Sequence, residues 1–349
     1  MKGEYKVAGG KLVVADVEVD NDRFSKVSIS GDFFLEPDTA LQQINDAIIG
    51  LPADASSEKI TQAIDAALDD SVTMFGFSAA AVAIAVRRAV GKASSWFDHR
   101  FEVIDALTLP AAQHVAMDEV IVEAVASGKR NPTLRLWDWH DSVAVIGVFQ
   151  SLKNEIDAEG AKRHGIEVVR RVTGGGTMFM EPGNCITYSL VVPSSLVEGL
   201  SFEQSYAFLD VWVLGALAEI GINAHYVPLN DIASEKGKIG GAAQKRYGKG
   251  VVLHHATMAY DINADKMLEV LRIGREKLSD KGTTSANKRV DPMRSQTGMT
   301  RAAIMQSFLQ HFQQRYDCQI SQYQPHEIEK AAALVDSKFA SPEWTQRVP

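Results

Sequence analysis

Midway along the chain, Arg170-Arg171-Val172-Thr173-Gly174-Gly175-Gly176-Thr177 runs straight into Met178-Phe179-Met180-Glu181-Pro182-Gly183-Asn184. Three successive glycines in strand-rich surroundings are costly, because glycine loses the most backbone entropy on folding. Such a run suits a backbone that must approach a ligand closely, with N–H groups free to meet anionic oxygens. The two arginines just upstream carry permanent charge on forked donors that match phosphate or carboxylate. A glycine triplet alone reads equally as a hairpin turn; the arginines before it and Gly183-Asn184 after it favour the ligand.

Working outward, a second glycine-bearing segment reads Asn230-Asp231-Ile232, then Gly237-Lys238-Ile239-Gly240-Gly241-Ala242-Ala243-Gln244. A lysine between glycines can bring a compact cation close to a ligand and grip a carboxylate and a phosphate together. By itself the pattern is also that of an exposed Gly-Lys turn. His254-His255 opens an apolar run, and neighbouring strand residues point to opposite faces, which disfavours a shared zinc ion. One of the two is expected to pack inward and orient a loop. Lys277 to Arg289, with Lys281-Gly282-Thr283-Thr284-Ser285 and Lys288-Arg289-Val290, reads in isolation as a mobile basic surface loop.

Around these segments, helices and strands alternate. A helix is predicted over 110–127 and another over 202–220; strands are predicted at Thr133–Trp139, Val143–Val148, Glu167–Val172, Thr187–Val192 and Lys249–Tyr260. A β-rich middle flanked by helices implies an α+β fold around an antiparallel or mixed sheet. The N-terminal part differs. Lys11 to Val19 and Val27 to Phe34 alternate about an Asn21-Asp22 turn, which predicts a hairpin. Helical patterns follow over Pro37–Ile49, Ser57–Leu68 and 78–91, starting near Asp38 and Ser57 in the first two. The expected division is a small α+β module over 1–92, a larger domain over 100–320, and a tail over 321–349, helical at 326–335, with no role assigned.

Composition narrows the classes. The hydrophobic fraction of 46% in 349 residues is ordinary for a globular protein. The net charge of −8 argues against a nucleic-acid binder but leaves room for a local basic pocket. Cys185 and Cys318 fit neither a disulfide framework nor a zinc spacing. No signal-like segment opens the chain, and the apolar run 79–86 is far short of the roughly 20 residues a membrane span needs. A cytoplasmic location is the default expectation.

As an ordered set these segments resemble the lipoate–protein ligase family, within the biotin/lipoate ligase superfamily. The family's Arg-Arg-x-(Ser/Thr)-Gly-Gly-Gly-x-x-Phe run with Gly-Asn after it is similar to 170–179 and Gly183-Asn184. Its Asn-Asp, Lys-(Ile/Val)-x-Gly-x-Ala and His-His-x-Thr elements resemble Asn230-Asp231, Lys238 to Ala243 and His254 to Thr257. Upstream, Met117-Asp118-Glu119, Leu134-Arg135-Leu136-Trp137 and Gly147-Val148-Phe149-Gln150 match, and downstream Lys277-Leu278 and the Lys281 loop resemble the family's adenylate loop. Met180-Glu181-Pro182 departs from the usual His-Asp-x. Gly9-Gly10-Lys11-Leu12 and Ser30-Gly31-Asp32-Phe33-Phe34 resemble the family's accessory domain, here ahead of the catalytic part rather than after it or on a separate chain.

The resemblance implies two reactions: lipoate and ATP, with Mg²⁺ shielding the phosphates, give lipoyl-AMP, and a carrier lysine then takes the acyl group. It implies Lys238 as the catalytic cation. Arg171, Gly175, Gly176, Thr177, Met178, Phe179, Asn184, Asp231 and Ala243 would hold ATP or lipoyl-AMP. Arg170, Gly175, Lys238 and His255 would form the lipoate pocket, with Asp231 a weaker metal or ribose contact. Implied partners are the lipoyl domains of 2-oxo acid dehydrogenase complexes or the glycine-cleavage H protein. A lipoyl or octanoyl transferase with a cysteine acyl-enzyme is the alternative, and it would require an activated thiol near the lysine motif. A biotin ligase and a non-catalytic lipoate sensor are more distant readings.

Overall fold

The computed structural model describes residues 1–7, 9–91, 93–272 and 290–349. The expected adenylate loop, Lys277 to Arg289, lies outside the described residues. Two compact units emerge, one of Met1–Asp98 with Ser194–Phe208, the other of His99–Pro193 with Leu209–Pro349.

In the first unit, β1 (Lys2–Lys6), β2 (Leu12–Asp20) and β3 (Arg23–Gly31) form an antiparallel sheet. Asn21 and Asp22 both have positive φ, 50° and 58°, the backbone a two-residue turn needs to match strand twist. A short ribbon pairs β4 (Phe34–Glu36) with β5 (Thr73–Phe75); α1 (Ala40–Ile48), α2 (Ser57–Ala67) and α3 (Ala79–Val90) complete the unit. Val13, Ala15 and Val17 alternate inward from β2 and share a core with Ile44, Ile48, Ile60, Ile64 and Val82. The alanine richness of α3 has a steric cause: a Cβ on Gly3 would stand 2.3 Å from the Ala85 carbonyl oxygen and Ala89 nitrogen, so backbone meets backbone. The expected cap at Ser57 falls instead on Ser56, whose side chain accepts from the Lys59 N–H at 3.2 Å. Arg88 ties Ser194–Phe208 into the unit, donating to the carbonyls of Glu4, Ser94, Leu196 and Glu198; burial lowers its pKa to about 10.

The second unit begins with β6 (Phe101–Leu109), α4 (Ala111–Ala126), β7 (Thr133–Trp139) and β8 (Val143–Ile146). Then come α5 (Leu152–Glu155), α6 (Ala158–Arg163), β9 (Glu167–Arg170), β10 (Met178–Met180), β11 (Cys185–Pro193) and α7 (Phe202–Glu219), whose first residues belong to the other unit. Four strands follow: β12 (His225–Val227), β13 (Asp231–Ala233), β14 (Lys238–Tyr247) and β15 (Val251–Ala259). The unit closes with α8 (Ala264–Val270), α9 (Met293–Thr297), α10 (Arg301–Arg315), β16 (Cys318–Ser321), α11 (Pro325–Leu334) and α12 (Pro342–Thr345). The main sheet has eight strands in the order β12-β13-β14-β15-β11-β7-β6-β16, with β6 parallel to β7 and β16 and the other pairs antiparallel. A smaller sheet orders β10-β8-β9. The architecture is α+β with a mixed sheet, as the sequence implies.

Register sets what the main sheet presents to α4. Arg135, Ser189, His255 and Ala243 stand opposite one another across four strands; one step along lie Trp137, Thr187, Thr257 and Gly241. Opposed residues share a face, so these eight belong to one side. Tyr188 and His254 point to the other side, where Asp210 of α7 meets both. The tail is not loose. Ala331 and Phe339 enter the α4 core, and Lys338 pairs with Glu119 at 2.7 Å.

Candidate functional site

An apolar cavity lies on the α4 side of the sheet. Val115, Trp137, Trp139, Val145, Met178 and Met180 form its walls, and Gly241, Ala243, Thr187, Thr257, His255 and Arg171 complete it. The small residues at 241 and 243 leave room where larger strand side chains would fill it. The cavity therefore offers a greasy slot with few polar points, suited to an aliphatic chain ending in a polar group.

Lys238 opens β14. Its Nζ sits 2.7 Å from Asp231 Oδ1, and its side chain is about half exposed at 47%. A Cβ on Gly241 would come 3.1 Å from that Nζ, so the ammonium leans over a cavity-lining glycine. No strand is predicted for this segment from sequence; the structure makes it one, bulged at Ala233 opposite Lys238. Asp291 N–H donates to the Lys238 carbonyl at 2.8 Å, and Arg272 N–H to that of Glu155.

The glycine triplet divides by role. Gly175 has φ +92°, where glycine has no steric penalty, and a Cβ there would press 3.1 Å from Arg171 Nη2. Gly174 lies under the exposed Phe149 ring; a Cβ at Gly176 would meet nothing within 4 Å. Thr177 Oγ1 donates toward Gln150 Oε1 and Glu155 Oε2 at 3.2 and 3.1 Å, and Gly147 N–H donates to the same Gln150 oxygen.

Behind the cavity runs a buried chain of hydrogen bonds. Arg135 Nη2 and Ser189 Oγ donate to Asp118 Oδ1 at 2.8 and 2.6 Å, and His255 Nδ1 lies 2.8 Å from Asp118 Oδ2. His255 Nε2 is 2.8 Å from Thr173 Oγ1, which accepts from Arg171 Nε at 2.9 Å. The chemistry fixes the tautomer. Burial disfavours charge on Asp118, yet Arg135 and the His255 and Ser189 bonds outweigh it and hold its carboxyl below the usual range. A carboxylate only accepts, so His255 donates from Nδ1 and its Nε2 accepts the Thr173 hydroxyl proton. Burial keeps the ring neutral against the pull of Asp118. Asp118 and Thr173 were given no role from sequence; the signal was their place in the Met-Asp-Glu and Arg-Arg-x-Thr motifs.

Arg170 sits elsewhere than the sequence reading puts it. Arg170 does not line the cavity: its fully buried guanidinium donates to the carbonyls of Gly147, Gln150, Thr345 and Val348. Arg170 ends β9 and Arg171 follows it, and only Arg171 turns to the site. Arg171 Nη1 and Nη2 hold the carbonyls of Val145, Gly174 and Gly176. Asn184 Oδ1 accepts the Glu181 N–H at 2.8 Å in the Gly183 turn. The Phe179 side chain packs in a separate core with Ile146 and Ile156. Glu181, at the family's Asp position, pairs with Lys266. Asp231, expected as a weaker metal or ribose contact, pairs its carboxylate with Lys238 at 2.7 Å. A magnesium ion arriving with ATP would count as part of the substrate.

A mixed sheet that carries an apolar slot beside a glycine loop, with Lys238 over one of the slot's glycines, suits the handling of an acyl chain. The chain belongs to the lipoyl protein ligase A/B catalytic domain family, whose model matches residues 110–313. It is 26% identical to the octanoyltransferase LipM of Macrococcus caseolyticus over 261 residues, 67% of this chain and 94% of that one. It is 28% identical to lipoate-protein ligase A subunit 1 of Thermoplasma acidophilum over 243 residues, 66% of this chain and 90% of that one. A solved structure of a bi-partite lipoate protein ligase and its E2 lipoyl domain from Thermoplasma acidophilum superposes with TM-score 0.64 at 27% identity, covering 72% of this chain and 98% of that one. The protein is therefore an enzyme of the lipoate ligase and acyltransferase family. Among the described residues no helix is long and apolar enough to cross a membrane.

Proposed function

We propose that this chain is an ATP-dependent lipoate–protein ligase that acts through lipoyl-AMP. The lipoate carboxylate oxygen attacks the α-phosphorus of ATP; an O–P bond forms there and the bond to the β-phosphate oxygen breaks, releasing pyrophosphate. A carrier lysine, as the free amine, then attacks the acyl carbon, loses a proton and expels AMP. Neither step uses a protein nucleophile, so catalysis is positioning and charge stabilisation. Lys238, poised over Gly241, bridges the carboxylate and the α-phosphate. Exchange of its Asp231 partner for these anions frees the ammonium to follow the developing charge. Arg171 holds the glycine loop so that the backbone of Gly175 to Phe179 can meet the nucleotide, with Ala243 beside Gly175. The apolar walls and His255 hold the acyl chain. The partner is a lipoyl carrier domain.

The observation that carries this reading over thiol transfer is the state of the two cysteines. The LipM relatives favour an octanoyltransferase, and the alternative drawn above needs a thiolate near Lys238. Burial pushes the Cys185 thiol up to about 12, and its Sγ lies 4.0 Å from Thr187 Oγ1 within the core. Burial lifts Cys318 to about 11, on β16 at the opposite end of the sheet order from β14. The chain has no third cysteine. The N-terminal module, 1–92, is the accessory domain and supports adenylation. Mixing the protein with ATP and lipoate tests the proposal: pyrophosphate release that requires both substrates supports it, and release with neither dependence overturns it.

A further inference from the structure

We propose that the C-terminal segment Trp344–Val348 is a positioning clamp for the glycine loop, setting nucleotide affinity through Arg170; this rests on the reading above that the loop binds ATP. The segment lies beyond the family match, which ends at residue 313. Trp344 Nε1 donates to the Arg170 carbonyl at 2.8 Å, at the residue where β9 gives way to the loop. In return the Arg170 guanidinium donates to the Thr345 carbonyl at 3.0 and 2.8 Å and to that of Val348 at 3.2 Å.

The same guanidinium reaches the Gly147 and Gln150 carbonyls at 2.8 and 2.7 Å, and Leu152 N–H donates to the Val348 carbonyl at 3.0 Å. One buried cation thus joins three pieces of chain: the tail, the 147–152 turn and the start of the glycine loop. The turn and the loop in contact have no slack, since a Cβ on Gly147 would stand 2.3 Å from the Gly175 carbonyl oxygen. A charged donor with every nearby acceptor drawn from backbone is a lock on conformation, because removing its acceptors leaves a buried charge uncompensated. Arg170 therefore acts through Gly147 and Gly175 rather than on substrate, and the tail holds Arg170.

Two variants test this in the full chain. Trp344→Phe keeps the ring against Phe339 and deletes the donor to Arg170; removal of Trp344–Pro349 takes away the whole clamp. Amide hydrogen exchange at 147–152 and 172–178 should quicken by at least about tenfold in the truncation, which removes several hydrogen bonds, and by less in Trp344→Phe, which removes one. The strands β11 and β15 should keep their protection. KM for ATP should rise by a similar factor while KM for lipoate stays put. Unchanged loop exchange in both variants, or a rise spread equally over β11 and β15, overturns the clamp. A wild-type protein with no ATP-dependent activity sinks the ligase reading instead, and the exchange arm still decides the clamp.

Discussion

The ammonium of Lys238 occupies the space that a side chain on Gly241 would need, 3.1 Å from where that Cβ would stand and with Asp231 Oδ1 3.3 Å from the same point. Lysine, aspartate and glycine are therefore one device. A methyl group at 241 is small enough for β14 to keep its register but forces the flexible lysine tip aside. Gly241→Ala is expected to slow lipoyl-AMP formation by about tenfold, in keeping with the steep cost of misplacing a catalytic group. Lys238→Ala should lose on the order of 10²–10³ in the same assay, with its circular dichroism unchanged. Near-normal adenylation by Lys238→Ala would remove the lysine from the mechanism.

Asp118 is the anchor of the buried chain, with Arg135, Ser189 and His255 on its two oxygens. Asp118→Asn preserves shape but leaves Arg135 without a counter-charge. The expected loss of stability is about 3–5 kcal/mol, the range for breaking a buried ion pair. Urea denaturation measures it. A shift below about 1 kcal/mol, the scale of an exposed pair, would show that the network contributes little.

Acid should weaken the fold before it protonates most carboxylates. Burial first, then Arg135, lower the His114 pKa to about 3, and burial also lowers that of His255. In the unfolded chain both rings protonate near pH 6.5. The unfolded state thus binds more protons below that pH, so stability is full above it and falls as pH drops toward the folded values. The slope should approach about 1.4 kcal/mol per pH unit for each ring. Denaturant midpoints at several pH values between neutrality and mild acid would show the decline, and His114→Gln should flatten it. A profile unaffected by that substitution contradicts the assignment to His114.

Deleting the N-terminal module tests its accessory role. Without residues 1–92, adenylation should fall further than transfer from supplied lipoyl-AMP. Because Arg88 also holds the Leu196 and Glu198 carbonyls, the deletion carries some structural cost. Equal loss of both half-reactions would mean that this cost is the whole effect.

Much of the fold is legible in the sequence where periodicity is strong. Thr133–Trp139 is a strand to the residue, α4 and α7 fall within a residue or two of their predicted spans, and the Asn21-Asp22 turn is where alternation breaks. The strand β14 is hidden because Gly240, Gly241 and flanking small residues erase the alternation that the buried cavity floor does not require. The parallel pairings of β16 with β6 and of β6 with β7 are set by tertiary contacts that no local pattern carries. At the site, Lys238 is singled out by the resemblance of its segment to a family motif, since the Gly-Lys pattern alone reads as an exposed turn. The division of labour between Arg170 and Arg171 was not, since identical side chains one residue apart differ only in the direction they take where β9 ends. Two of Arg170's acceptors, Thr345 and Val348, lie in the tail, more than 170 residues away.

The choice between adenylation and thiol transfer is the centre of the functional reading, and a cysteine-free protein decides it. Cys185→Ala and Cys318→Ala combined should leave the enzyme able to lipoylate a carrier domain with ATP and lipoate, releasing pyrophosphate in proportion to acyl groups transferred. Loss of acyl transfer in that variant, with wild-type transfer from an acylated carrier proceeding without ATP, would contradict the ligase mechanism.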